Sequence, residues 1–273
     1  MKSLLSWLAA GLALAAPASA HLLTRGIPLS ELAATSPVAV MGRVDARAPG
    51  QVTLAVEEAV LGNAPRRALQ VALEDHHPPD YAVGSRVLVF LKTSAPPWVS
   101  RQTALDLVEI PERAAARDAL LSAVRGYAGL RGVRDPAERI AQLKTFALAN
   151  LESASDRVRH ESLLDLLALV PAKPYRAADV ARVAALAREP KTPATLAPGL
   201  VVLLAAIRIP ESEPALVAVL QSAANPQTRA SAARVLGKRR GPIAVAALHA
   251  AQRDRALAVR LTAQRALDGV REP

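Results

Sequence analysis

The chain contains no cysteine, which removes several classes of function at once. Without a thiol there is no disulfide framework, no thiolate nucleophile and no Cys-ligated zinc site. A lipid-modified cysteine at a cleaved N-terminus is excluded for the same reason. Aromatic residues are only 3% of the 273 residues, so neither a sugar-stacking nor a base-stacking platform is evident. No G-x-S-x-G, H-E-x-x-H, P-loop or dinucleotide fingerprint occurs. Ser, His and Asp are present, but no spacing ties them together. The chain therefore reads as a non-enzyme with no cofactor. A chain without disulfides has to be held by core packing, and a sizeable core is expected.

Long apolar runs are also scarce. The longest, Leu4 to Ala16, follows the cation Lys2 and ends at Pro17. Ala18-Ser19-Ala20 then supplies the small-x-small pattern cut by a signal peptidase, with Ala18 and Ala20 as the small residues. The run falls short of the ~20 apolar residues that span a bilayer. Leu200 to Ile207, the next best, is shorter still and is followed by charges. Residues 1–20 thus read as a cleavable signal peptide. The mature chain is expected to start at His21, to be periplasmic or secreted, and to carry no transmembrane segment.

Two kinds of patterning follow. From Val38 to Ile110 apolar residues alternate or cluster in short runs bounded by Gly, Pro and Asp. In Gln51–Val60, Val52, Leu54 and Val56 share one face, the period of two that a half-buried strand requires. Residues 38–44 and 69–73 read as strands too, with Ala48-Pro49-Gly50 as a turn. Arg86–Leu91 is continuously apolar after its first residue, as befits a central strand covered on both faces. Residues 98–99 and 107–110 are shorter candidates. Five or six short strands at this spacing predict a small barrel or sandwich, preceded by a short helix over 30–34 that Ser30 would cap. Gly42-Arg43-Val44, Val60-Leu61-Gly62 and Gly84 to Leu91 resemble the N-terminal region of bacterial secreted proteins with a netrin/TIMP-like barrel of OB type. That resemblance covers residues 29–110 and implies a fold. Animal relatives that inhibit metalloproteases do so through an N-terminal cysteine, which this chain lacks.

From Pro136 onward the apolar residues recur at helical spacing in blocks broken by proline. The last third contains one unit twice, with Arg229 and Arg260 in equivalent places 31 residues apart. Leu216–Leu220 matches Ala244–Leu248, and Ala232–Leu236 matches Ala263–Leu267. More divergent copies lie upstream: first helices are expected near 137–151, 177–188, 213–222 and 242–252, and second helices from Asp156 and over 195–207. A fixed period of helix pairs implies an α-solenoid. The second-helix pattern, Asp or Asn, then Val/Thr-Arg, Ala-Ala and Leu-Gly, resembles HEAT repeats of the short, bilin-lyase-like kind. In that resemblance Asp or Asn caps the helix start, Ala allows close approach, Leu fills the core and Gly ends the helix in a left-handed turn. Some relatives are lyases, but fold alone does not carry that chemistry here.

Metal-ligand residue types cluster only at Glu74-Asp75-His76-His77-Pro78-Pro79-Asp80. Adjacent imidazoles rarely reach one ion, so a solvated loop competes with a metal site at His76 and His77. His21, at the expected mature N-terminus, could chelate copper through its amine and ring given a second His opposite. His160 and His249 fall within expected helices, without a carboxylate or histidine partner four residues on.

Charge says more. The net charge is +10, or +9 once Lys2 leaves with the signal. Residues 21–130 carry eleven basic and eleven acidic side chains, residues 131–228 twelve and ten, and residues 229–273 ten and three. The excess therefore lies on the last two repeats, at Arg229, Arg234, Lys238, Arg239, Arg240, Arg253, Arg260 and Arg265 among others. Such a surface suits an acidic protein partner, with envelope polysaccharide or an anionic lipid surface as alternatives; export argues against nucleic acid. A plain solvated helix face explains the same composition.

Taken together, the sequence predicts an α+β, multidomain chain. A small antiparallel β-barrel (29–110) and a connecting helix or linker (111–135) precede an α-solenoid of about four HEAT-like helix pairs (136–270). The expected function is an exported scaffold or protein-interaction module. A metal-binding protein or metal-dependent enzyme using His76 and His77, and a protease-inhibitor-like barrel, stay open as rivals.

Overall fold

The computed structural model describes residues 26–65, 67–74 and 78–271; the signal segment with Ala18 and Ala20, and His21, His76 and His77, lie outside them. Within these residues the chain is α+β, with a six-stranded mixed sheet and ten α-helices. Two compact units form. One runs up to Phe146 and includes Glu152–Glu161; the other comprises Ala147–Leu151 and everything from Ser162. The division thus passes through the first helix pair, whereas the sequence pattern changes near 111–135.

In the first unit, α1 (Leu29–Thr35) is followed by β1 (Val38–Ala48), β2 (Gln51–Leu61), β3 (Ala68–Ala72), β4 (Arg86–Leu91), β5 (Trp98–Val99) and β6 (Val108–Glu109). The sheet is open, in the order β5-β3-β2-β1-β4-β6, antiparallel except where β5 runs parallel to β3. Alternation along the strands divides two cores. Val38, Val40, Val52, Leu54, Leu69, Val71, Val87 and Val89 line one face of the sheet. Ala39, Met41, Leu88 and Phe90 line the other, against α1 and α2 (Ala114–Gly129). Residues Val87 to Leu91 are all fully buried, so β4 is the doubly covered strand its apolar run implies. The short first helix has Pro28, not Ser30, at its N-cap and no side-chain cap. Gly62 closes β2 with φ +63°, and a Cβ there would sit 2.4 Å from the Pro37 carbonyl oxygen. Only glycine fits both conditions.

A polar knot fastens the end of this sheet. Buried Gln102 accepts from the Phe90 N–H (3.0 Å) and Tyr81 hydroxyl (3.2 Å), and donates to the Leu88 (3.2 Å) and Asp106 (2.8 Å) carbonyls. The Asp106 carboxylate is fully buried and accepts from the Thr103 N–H and hydroxyl, both at 2.8 Å, and from the Ile27 N–H. Every one of these contacts satisfies a buried polar group, which makes the knot structural.

Helices α3 (Pro136–Asn150) and α4 (Asp156–Leu169) straddle the division. The second unit continues with α5 (Ala177–Arg188), α6 (Ala197–Ala206), α7 (Ser212–Ser222), α8 (Pro226–Arg239), α9 (Pro242–Ala251) and α10 (Leu257–Arg271). Helices pack within consecutive pairs. The first helices α5, α7 and α9 also touch in order, and so do the second helices α6, α8 and α10. One continuous core of Leu, Val and Ala runs from Ala147 to Leu267. Asn225 caps α8 by accepting from the Gln227 N–H (2.8 Å), as its residue type predicts. Gly237 behaves differently from expectation. The helix continues through it to Arg239, and the left-handed residue is Arg240, at φ +54°. A Cβ on Gly237 would lie 2.6 Å from the Ala266 Cβ, so this glycine serves the close approach of α8 and α10.

Candidate functional site

The basic residues of the last two helix pairs separate into two groups. Arg229 is buried at 3% exposure, and its guanidinium grips Asp254 with two 2.8 Å bonds, Nε to one carboxylate oxygen and Nη2 to the other. Its Nη1 donates to the carbonyls of Ala223 (2.8 Å) and Ala224 (3.2 Å). Asp254 also accepts from the Ala256 N–H (2.7 Å), so one carboxylate caps its own helix entry and ties it to the preceding pair. The Arg229 hydrogen bonds hold the Asp254 carboxyl below its ordinary range, and Asp254 raises Arg229 in turn.

The same geometry recurs. Arg159, Arg229 and Arg260 are each the fourth residue of a second helix. Each donates to the carbonyl six residues earlier: Ser153, Ala223 and Asp254. In α6 the fourth residue is Leu200, fully buried, and the guanidinium clasp is replaced by apolar packing. Arg229 and Arg260 therefore belong to the internal joints of the helix pairs. Arg229 leaves the set of surface candidates because its charge is paired and buried, and Arg260 is half-buried with its Nη1 on the Asp254 and Arg255 carbonyls.

The run Lys238-Arg239-Arg240 also fans apart. The Arg239 Nη2 donates to the Ala205 carbonyl in the last turn of α6 (3.1 Å), and Arg240 to the Gly269 carbonyl in the last turn of α10 (2.9 Å). Both serve the unsatisfied carbonyls and negative dipole of helix C-termini. Exposed Lys238 takes neither role. It shares a groove with Arg234, Arg240 and Arg265, whose walls are the seam between α8 and α10. Helical spacing explains the assembly: 234, 237 and 238 form one stripe on α8, and 262, 265, 266 and 269 one stripe on α10. The Gly237–Ala266 contact draws the stripes together, and Gly237, Ala266 and Gly269 leave a floor of small residues. Thr262, the remaining lining residue, donates its hydroxyl to the Ala258 carbonyl (2.7 Å).

Among the described residues, no acidic side chain lines this groove of about 520 Å³. By contrast, a second groove, between α5 and α7, is walled by alanines with one Arg188 and one Glu211. In the first unit, cations are answered locally: Arg86 by Glu57 (3.0 Å), Lys92 by Glu74 (3.4 Å), and Arg125 by Glu58. Among the described residues from 229 onward, Arg229–Asp254 is the single ion pair. Arg253 is exposed in the turn before α10 and does not line the groove. Arg265, counted in the basic excess of the last third of the chain, joins the groove wall through its three- and four-residue spacing to Thr262 and Gly269.

Among the described residues no group of three or more His, Asp or Glu is placed to hold a metal ion. His160 and His249 are exposed, and the His249 Nδ1 lies 3.4 Å from the Gln252 Oε1. No helix among these residues is long and apolar enough to cross a membrane. Comparison with protein-family models, with curated proteins and with solved structures finds no match to this chain.

Proposed function

We propose that this chain is an exported, non-enzymatic interaction module, in which a small barrel-like β unit precedes a HEAT-like helical array. On this reading the cationic seam of the last two helix pairs binds an acidic partner protein. The observation that carries it is the groove of Arg234, Lys238, Arg240 and Arg265, which among the described residues contains no carboxylate and whose cations form no ion pair. Unpaired charges of one sign in a concave surface steer and retain ligands of the other sign.

Two features support the architecture. Residues 99–101 hydrogen bond toward both β3 and β4: the Ser100 N–H donates to the Ala72 carbonyl (2.9 Å), the Lys92 N–H to Val99 (2.9 Å) and the Arg101 N–H to Phe90 (2.8 Å). Bonds on both sides of this segment support the barrel-like reading of the open sheet. The in-order stacking of first and second helices, with the repeated arginine clasp, supports the solenoid reading. The Lys2-to-Ala20 pattern supports export.

Crosslinking of the tagged protein in its native cell tests the proposal. The attached protein is expected to carry an acidic segment, and its yield to fall in an Arg234→Gln/Lys238→Gln/Arg265→Gln variant and with rising salt. Capture that is indifferent to both refutes the charge-assisted surface.

A further inference from the structure

The α8–α10 groove has a more specific chemistry than a basic patch. Arg234 and Lys238 stand one helical turn apart on one wall, Arg265 stands on the other, and Arg240 enters at the helix ends. Among the described residues, Arg240 is the member of this set whose guanidinium sits on a protein acceptor, the Gly269 carbonyl. The floor between them is Gly237, Ala266 and Gly269, which offers bulk to nothing and side-chain hydrogen bonds to nothing. A carboxylate is planar, carries one charge, and is satisfied by a single guanidinium fork. Three cationic arms from two walls are better matched by a tetrahedral group with three outward oxygens and close to two charges.

We infer that this groove is a phosphate site. It takes a phosphate group, free or borne on a lipid headgroup, with Arg234 and Arg265 as the forked donors from opposite walls and Lys238 as the adjacent point charge. The inference rests on reading this end of the chain as a cationic binding surface, and it names phosphate, in place of a protein carboxylate, as the group that the groove itself holds. Arg239 and Arg229 have no part in it, because their guanidinium groups face the Ala205 carbonyl and Asp254.

The test is calorimetric titration of the whole mature protein with inorganic phosphate at low salt, beside an oligo-glutamate peptide and beside sedimentation with phosphatidylglycerol vesicles. The variants are Arg234→Gln, Arg265→Gln and, as an exposed control elsewhere in the second unit, Arg208→Gln. All three positions are exposed, and an unchanged thermal midpoint verifies folding. Saturable phosphate binding that weakens about tenfold with each groove substitution and is unaltered in the control is the expected result. The vesicle arm identifies the source: vesicle binding with the same variant dependence assigns the group to a headgroup, and free phosphate binding alone to a soluble ligand. If oligo-glutamate binds with that variant dependence while neither phosphate form does, the phosphate assignment falls and the cationic interaction surface stands. Absence of binding by all three probes overturns both.

Discussion

The joint between Arg229 and Asp254 offers the sharpest test of how the helical unit is held. Asp254→Asn keeps the shape of the side chain, and its amide oxygen can still accept from the Ala256 N–H, but the negative charge is gone. The Arg229 side chain, 4% exposed, is then a buried cation with two carbonyls and a neutral amide for company. Breaking one side of a buried, bidentate pair costs about 3–5 kcal/mol. For a unit of this size that is a fall of roughly 12–20 °C in thermal midpoint. The chain itself indicates the compensating change, because α6 places Leu200 where α8 has Arg229. Arg229→Leu/Asp254→Asn removes both charges together, and replacing a buried pair by apolar volume is often close to neutral. The double variant should therefore recover most of what the single variant loses. The assay is thermal and urea unfolding followed by circular dichroism at 222 nm, read as a double-mutant cycle. The pH dependence carries its own sign. Asp254 has a folded pKa below its unfolded value, so the pair contributes fully above about pH 4 and its contribution fades as pH falls through the folded pKa. The gap between wild type and Asp254→Asn should close in acid. A loss below about 1 kcal/mol at neutral pH, the size expected of a surface pair, refutes the assignment of this joint.

Other outcomes follow from the same geometry. Gly237→Leu should destabilise the protein by roughly 1–3 kcal/mol and disrupt the groove, because any Cβ meets Ala266 at 2.6 Å; thermal unfolding and phosphate titration check the two effects separately. Arg239→Gln should lower the melting midpoint without changing affinity at the groove, whereas Arg234→Gln should do the reverse, and a paired melt and titration distinguishes them. Burial pushes the hydroxyls of Tyr81 and Tyr175 above the ordinary tyrosine range, so the fold favours their protonated forms and loses stability as pH rises beyond about 10; ultraviolet titration should show these two ionising only with unfolding. The proposed export and cleavage after Ala20 predict that N-terminal sequencing of the protein recovered from its native cell gives His21 first, and an intact Met1 refutes them.

Much of the architecture was legible in the residue pattern. The α+β class, the doubly covered β4 and the succession of helices all follow from apolar periods of two and of 3.6, which are local consequences of backbone geometry. The Asn225 cap was equally readable, since a side chain bonding two residues along the chain needs no tertiary partner. The low aromatic content and the missing cysteine were decisive about what the chain lacks. The charge excess of residues 229–273 was a matter of counting.

What those charges do was decided only by the tertiary structure. Arg229 and Arg234 are identical in a composition and five residues apart in the chain, yet one is a buried joint and the other an exposed groove wall. Five residues turn a helix by about 140°, and which face meets the next helix depends on how the pairs stack. Lys238, Arg239 and Arg240 read as one basic run, but successive helical residues point about 100° apart and so reach different neighbours. Gly237 carried a helix-stop signal and instead sits where two helices come closest, because the Arg240 backbone takes the left-handed turn three residues later. Local pattern sets which residues can share a face; only packing determines whether that face meets a partner helix, a carbonyl or open space.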